Sequence, residues 1–97
     1  MTRIELAPEV LDDFDRFFEP MTRFEVADVF GRLQEILDAV QVLTHSPLIG
    51  RPVAGGKREL VIGRGNRGYV ALYRYLAEID TAFVLALRAQ REAGFKH

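Results

Sequence analysis

The regular spacing of apolar residues between Val26 and Leu43 is the feature that most constrains how this chain can fold. Apolar side chains recur three or four positions apart over this stretch, which is the spacing of one face of an α-helix. They are Val26, Val29, Phe30, Leu33, Ile36, Leu37, Val40 and Leu43. Thr22 and Glu25 form a capping box that predicts where this helix begins. The sequence His45-Ser46-Pro47 predicts its end, because the residue before a proline is driven out of the helical region.

A shorter helix is predicted ahead of this one, after an N-terminal strand. Thr2 to Leu6 alternate polar and apolar residues, as a short strand does. Pro8 suits the first turn of a helix, and Pro20 predicts where that helix ends. The apolar residues on its inner face are Val10, Phe14, Phe17 and Phe18. The two helices are expected to form a hairpin.

The second half of the chain is predicted to form an antiparallel sheet. The segment from Leu48 to Lys57 contains glycines and a proline without a hydrophobic period and is predicted to be a loop. Three runs rich in Val, Ile, Leu, Tyr and Phe then predict strands over Glu59–Ile62, Tyr69–Leu76 and Thr81–Leu87. The order β-α-α-β-β-β indicates an α+β fold, with a helical hairpin packed on a small, mostly antiparallel sheet. Because 97 residues support one hydrophobic core, a single domain over residues 1–97 is expected.

No cofactor or metal site is predicted. The segment Gly63-Arg64-Gly65-Asn66-Arg67-Gly68 has the letters of a dinucleotide-binding motif, but a strand follows it where that motif requires a helix. It is therefore interpreted as a hairpin turn with exposed arginines. The chain has no cysteine, and its two histidines, His45 and His97, do not assemble a metal site or a catalytic triad. The aspartates at positions 12, 13 and 15 are interpreted as a solvated helix face.

Charge is unevenly distributed along the chain, although the formal net charge is only -1. By direct count the half before Leu48 carries about -6 and the remainder about +5. The basic half predicts a surface for an anionic partner, either nucleic acid or an acidic protein segment. The lack of cysteine and of a long apolar segment predicts a soluble, unprocessed cytoplasmic protein with no membrane partner.

Five segments together resemble the RelE/ParE family of toxins from bacterial toxin–antitoxin modules. They are Gly50-Arg51-Pro52, Arg58–Gly63, Gly68–Tyr75, Val84–Arg88 and Arg91-Glu92. The resemblance covers essentially the whole chain, including the predicted N-terminal strand and helical hairpin. It implies a small toxin encoded beside a cognate antitoxin that wraps and neutralises it, without direct DNA binding by the toxin alone.

The family has two branches, and the resemblance bears on the choice between them. One branch comprises ribosome-dependent mRNA endoribonucleases, and the other comprises inhibitors of DNA gyrase with the same fold. Where the ribonuclease branch carries a catalytic arginine, this chain has Val70, and its terminal aromatic residue is Phe95, which has no hydroxyl. Arg91 alone matches an arginine of the ribonuclease site. Because arginine does not exchange a proton near neutral pH, a non-catalytic gyrase inhibitor is favoured, with the ribosome and mRNA as the alternative target.

Two groups of candidate site residues follow. Arg58, Arg88 and Arg91 are expected to contribute to toxicity as fixed cations near the ends of the basic sheet. Strand alternation places Val70, Leu72 and Arg74 on the other face from the tyrosines of the same strand. In the last strand it places Phe83, Leu85 and Leu87 on one face and Ala82, Val84 and Ala86 on the other. Both faces would then be largely apolar, while one helical hairpin covers only one of them. An antitoxin segment is expected to cover the other, with Val70, Leu72, Arg74 and Leu85 as its contacts.

Overall fold

The computed structural model describes residues 1–19, 26–65 and 68–97 and has the α+β architecture predicted from the sequence. It contains two helices, α1 (Pro8–Phe18) and α2 (Val26–Gln41), with a 3-10 turn at Val42–Thr44 after α2. The strands are β1 (Arg3–Leu6), β2 (Arg51–Val53), β3 (Lys57–Ile62), β4 (Tyr69–Leu76) and β5 (Thr81–Ala89). A second 3-10 turn, Ala77–Ile79, joins β4 to β5. The predicted capping box of α2 lies outside the described residues.

The five strands form one mixed sheet in the order β1-β5-β4-β3-β2. β1 is parallel to β5, and the other neighbours are antiparallel. The prediction of a loop from Leu48 to Lys57 is wrong in part, because this segment contains β2 and a hairpin turn. β2 is only three residues long, too short to show a period, and Pro52 is tolerated because β2 is an edge strand. Gly55 and Gly56 adopt positive φ angles of 81° and 71° in the turn, where glycine carries no steric penalty.

Both helices pack on one face of the sheet and form the hydrophobic core with it. α1 contributes Val10 and Phe18, while α2 contributes a row of apolar residues on its inner face. That row is Val29, Ile36 and Val40, followed by Leu43 in the 3-10 turn. The sheet residues of this core are Ile62, Tyr69, Ala71, Tyr73, Ala82, Val84 and Leu87. In the part of the chain that the structure describes, no helix is both long and apolar enough to cross a bilayer.

The alternation predicted for β4 is confirmed, whereas that predicted for β5 holds only as far as Val84 and is wrong beyond it. Across the two strands Leu72 pairs with Ala86, but Tyr73 pairs with Val84, so Leu85 is an extra residue at a β-bulge. The bulge reverses the alternation. As a result Leu87 joins Ala82 and Val84 in the core instead of facing away from them.

Tyr73 ties the sheet to the segment that follows α2. Its side chain is fully buried, and its hydroxyl donates to the Pro47 carbonyl at 2.7 Å and accepts from the Gly50 N–H at 2.9 Å. A Cβ at Gly50 would lie 2.6 Å from Tyr73 Cε1, so this close approach requires glycine. The tyrosine thereby sets the path of the chain into β2.

Candidate functional site

The sheet face that points away from the helices is the first candidate surface, and we call it the open face. Cα pairing places its residues in rows across the strands: Val61 with Val70 and Arg88, Glu59 with Leu72 and Ala86, and Arg74 with Phe83 and Glu5. Val61 is 60% exposed, whereas Val70 is 4% exposed and Ala86 is 1% exposed. Leu72 and Phe83 are half-buried. The open face is therefore an apolar strip that is partly covered by its own neighbours.

Basic side chains without acidic partners flank this strip. Arg51 pairs with Glu59, and Arg3 pairs with Glu5 at 2.6 Å, so these four charges are matched locally. Lys57, Arg74 and Arg88 have no acidic partner among the described residues. They lie on the open face or at its end, which leaves an excess of positive charge beside the apolar strip.

Arg74 is the most central of these cations. Its Nη2 donates to the Gly55 carbonyl at 2.7 Å, which ties β4 to the β2–β3 turn. Its Nε is buried and has no hydrogen-bond partner in the described structure. Because a guanidinium binds carboxylates through charge-assisted hydrogen bonds, a carboxylate placed over the exposed part of Arg74 would be stabilised there.

The predicted antitoxin contacts are brought together only in part. Val70, Leu72 and Arg74 share the open face of β4, as alternation predicts. Leu85 is the half-buried residue at the bulge, and its place in the ladder does not assign it to either face.

The three arginines predicted to contribute to toxicity occupy different places. Arg58 pairs with Tyr73 and so lies on the opposite face from Arg74, where its Nη1 donates to the carbonyls of Leu48 at 3.0 Å and Gly50 at 2.8 Å. Arg88 lies near the end of β5 on the open face. Arg91 is exposed in the following turn and makes no contact with another described side chain through hydrogen bonding or ion pairing. Arg88 and Arg91 thus lie three residues apart at the end of β5 and in the turn after it, whereas Arg58 lies on the other face of the sheet from Arg88.

A network of charged side chains from α1 and the C-terminal segment closes the edge of β5 beyond β1. The Leu87 N–H donates to Asp13 Oδ2 at 2.8 Å, and Arg16 Nη2 donates to the Leu87 carbonyl at 3.2 Å. Glu92 Oε1 accepts from the Ala89 N–H at 2.8 Å and from Arg16 at 3.1 Å. These side chains take the place of a neighbouring strand at an edge that would otherwise be unpaired.

Asp13 is the buried centre of this network, so the prediction that it lies on a solvated helix face is wrong. Its side chain is fully buried, it is paired with Arg16 at 2.5 Å, and it lies 3.0 Å from His97 Nε2. The contact with His97 joins residues 84 positions apart in the chain. Helical spacing places residue 13 between the apolar positions 10 and 14, but nothing in the sequence indicates its distant partners.

The protonation state of Glu92 follows from the same network. Burial would raise the pKa of the Glu92 carboxyl, but the hydrogen bond from the Ala89 N–H and the Arg16 guanidinium outweigh this effect. The pKa therefore lies below its usual value, and Glu92 is ionised at neutral pH.

Over residues 1–19, 26–65 and 68–97, no group of three or more His, Cys, Asp or Glu side chains is arranged to hold a metal ion.

Comparisons with known proteins agree with this architecture. A family model described as the ParE toxin of the type II toxin–antitoxin system, parDE, matches residues 4–94. A solved structure of the chromosomal ParDE toxin–antitoxin system from P. aeruginosa is similar with a TM-score of 0.76 at 18% identity, covering 92% of this chain and 96% of that chain. The intact E. coli RelBE toxin–antitoxin complex is similar with a TM-score of 0.60 at 16% identity, covering 95% of this chain and 100% of that chain. At these identities the two structures support the fold alone. No curated protein matches the chain by sequence.

Proposed function

Because this chain belongs to the family of ParE toxins of type II toxin–antitoxin systems, we propose that a cognate antitoxin neutralises it and that its target is DNA gyrase. The observation that carries the choice of gyrase is Val70. This residue stands where the ribonuclease branch of the wider family carries a catalytic arginine, and it is an apolar side chain only 4% exposed.

The groups near Arg88 suit anion binding better than proton transfer. Phe95 has no hydroxyl, and Arg88 and Arg91 keep their charge at any physiological pH. Glu92 is ionised and already accepts two hydrogen bonds, from Ala89 and Arg16. General acid–base cleavage of RNA needs a group that both gives and takes a proton near neutral pH. Electrostatic contact with a macromolecular target needs only the fixed cations.

The proposal predicts that Arg88 and Arg91 contribute to toxicity. Arg58 is a third candidate, although its replacement also removes the hydrogen bonds to Leu48 and Gly50. Induced expression without the antitoxin should arrest the growth of a bacterial host, and Arg88→Ala and Arg91→Ala should weaken the arrest. Arg3→Ala is the matched control, since Arg3 is an exposed arginine whose pairing with Glu5 is local.

The target is tested with purified components. We expect the protein to inhibit supercoiling by gyrase while cell-free translation continues. Rapid cleavage of mRNA on programmed ribosomes, with gyrase unaffected, would contradict this choice and favour an mRNA endoribonuclease.

The contact between His97 and Asp13 is the one observation that favours the endoribonuclease as a second candidate. Imidazole is the side chain most often used for general acid–base catalysis, and the Asp13 carboxylate 3.0 Å from Nε2 orients the His97 ring. If mRNA is cleaved, His97→Gln should abolish the cleavage. If gyrase is the target, His97→Gln should leave supercoiling inhibition unchanged.

The antitoxin is proposed to bind the open face. The apolar strip around Leu72 matches apolar side chains of a partner segment, and the unpaired cations Lys57, Arg74 and Arg88 match acidic ones. A segment that covers this face would bury on the order of 1,500 Å² in total, the size of a stable protein–protein interface.

The docking proposal is tested by co-expression with the product of the adjacent short gene. Val61→Glu should prevent recovery of the complex, because Val61 is 60% exposed on the open face and its replacement adds negative charge among the acidic side chains of the partner. Val42→Glu is the matched control, since Val42 is 42% exposed in the 3-10 turn after α2. Expressed alone, the protein should self-associate or bind an apolar dye. A monomer at high concentration that binds no dye would contradict the proposal that this face needs a partner.

A further inference from the structure

Arg88 is held in place by the turn that follows β5. Its Nη1 donates to three carbonyl oxygens of this turn, those of Ala89 at 3.2 Å, Gln90 at 3.3 Å and Glu92 at 3.3 Å. The turn is closed by a hydrogen bond from the Glu92 N–H to the Ala89 carbonyl at 3.0 Å. One nitrogen therefore makes every hydrogen bond of this guanidinium in the described structure.

The aromatic ring of Phe95 lies against the same guanidinium. The distance from Arg88 Cζ to the ring centroid is 5.3 Å, within the range of a cation–π interaction. Arg88 Nε and Nη2 make no hydrogen bond with the described residues. Among the described residues, the buried side-chain nitrogen and oxygen atoms without a hydrogen-bond partner are Arg16 Nε and Arg74 Nε, so the two free nitrogens of Arg88 are not fully buried.

We infer that Phe95 is a positioning residue for Arg88, which keeps Nε and Nη2 directed outward for an anionic group of the target. The inference rests on the proposed function, in which Arg88 contacts that target. A free arginine side chain samples many rotamers and loses that freedom when it binds. The Phe95 ring and the hydrogen bonds to the turn carbonyls together restrict those rotamers before the target arrives.

The turn itself is anchored to α1, which extends the positioning network beyond Phe95. Glu92 accepts from Arg16, and Arg16 is paired with the buried Asp13. Lys96, which neighbours Phe95, forms an ion pair with Glu92 at 3.7 Å. The chain end is thus attached on both sides of Phe95, by Glu92 and by the contact of His97 with Asp13.

The inference predicts how variants of Phe95 rank in toxicity at equal stability. Phe95→Leu keeps an apolar side chain but removes the aromatic face, and the level of protein needed to arrest growth should rise about two- to fivefold, as expected for a partly exposed cation–π contact. Phe95→Tyr and Phe95→Trp retain the ring and should restore the wild-type level. In an Arg88→Ala background, Phe95→Leu should have no further effect. Arg3→Gln is the control, because Arg3 is an exposed cation of β1 whose ion pair with Glu5 is local.

The measurements are the toxin level at growth arrest, determined by immunoblot, and the melting temperature of each purified variant. The Nε–H resonance of Arg88 in NMR spectra gives a direct readout, since the ring current of Phe95 should shift it and Phe95→Leu should remove that shift.

Each result separates the inference from the proposed function. If Arg88→Ala weakens toxicity and Phe95→Leu does not, the positioning role is overturned and the proposed function is retained. If Arg88→Ala leaves toxicity unchanged, the proposed contact between Arg88 and the target is overturned, together with the inference. If Phe95→Leu lowers the melting temperature and weakens toxicity equally in the Arg88→Ala background, its role is structural and the inference is wrong.

Discussion

The hydroxyl of Tyr73 offers a sharp test of how this fold is held together. Tyr73→Phe removes a single oxygen that donates to the Pro47 carbonyl and accepts from the Gly50 N–H, in a fully buried site. A net contribution of about 1 kcal/mol is typical for one hydrogen bond, and a buried N–H left without an acceptor costs about 1–3 kcal/mol. We therefore expect the free energy of unfolding to fall by about 2–4 kcal/mol. The total for a domain is about 5–15 kcal/mol, so the variant should still fold.

Tyr75→Phe is the matched control. Tyr75 follows on the same strand and the same side of the sheet, but its hydroxyl bonds to Asp80 at the surface, where water replaces the lost partner. Both variants should be unfolded with urea at micromolar concentration and followed by circular dichroism, with the slope of the transition checked for constancy. In a domain of this size a loss of about 1 kcal/mol lowers the melting temperature by roughly 4–8 °C. Equal losses in the two variants would show that the buried hydroxyl of Tyr73 has no special role.

Three further predictions concern the same core and the edge of β5. Gly50→Ala should destabilise the fold by about 1–3 kcal/mol, measured by urea unfolding, because the new Cβ would overlap the Tyr73 ring. Asp13→Ala should cost about 3 kcal/mol and Asp13→Asn less, because asparagine keeps an oxygen for the Leu87 N–H; equal losses would contradict this reasoning. Because the pKa of Glu92 is lowered on folding, its contribution is present at neutral pH and is lost as pH falls below the ordinary value of 4.5. Glu92→Gln should therefore show a smaller loss of stability between pH 5 and pH 3 than the wild type, and an identical loss would refute the assignment.

The pattern of neighbouring residues was sufficient to predict most of the helices and strands and to assign the chain to a family. The helical stripe of α2, Pro8 at the start of α1 and the apolar runs of β3 and β4 each carry their signal within a few neighbouring residues. β2 was missed because three residues with a proline show no period, and its identity as a strand comes from pairing with β3. The open face followed from alternation along β4, because side chains of a regular strand point to opposite faces.

What only the tertiary structure decided is where distant residues meet. The bulge at Leu85 reverses the faces of β5, and no local pattern predicts an extra residue in one strand of a pair. The acidic pattern around Asp13 predicts a solvated face, yet folding buries this residue against Arg16 and His97, because β5 extends past β1 and its free edge needs partners. The position of Phe95 over Arg88 depends on the same anchored turn. The sequence by itself determined most of the helices and strands and the acidic and basic character of the two halves, because these depend on residues that are neighbours in the chain. The arrangement of the charged side chains depends on contacts between distant residues, which only folding creates.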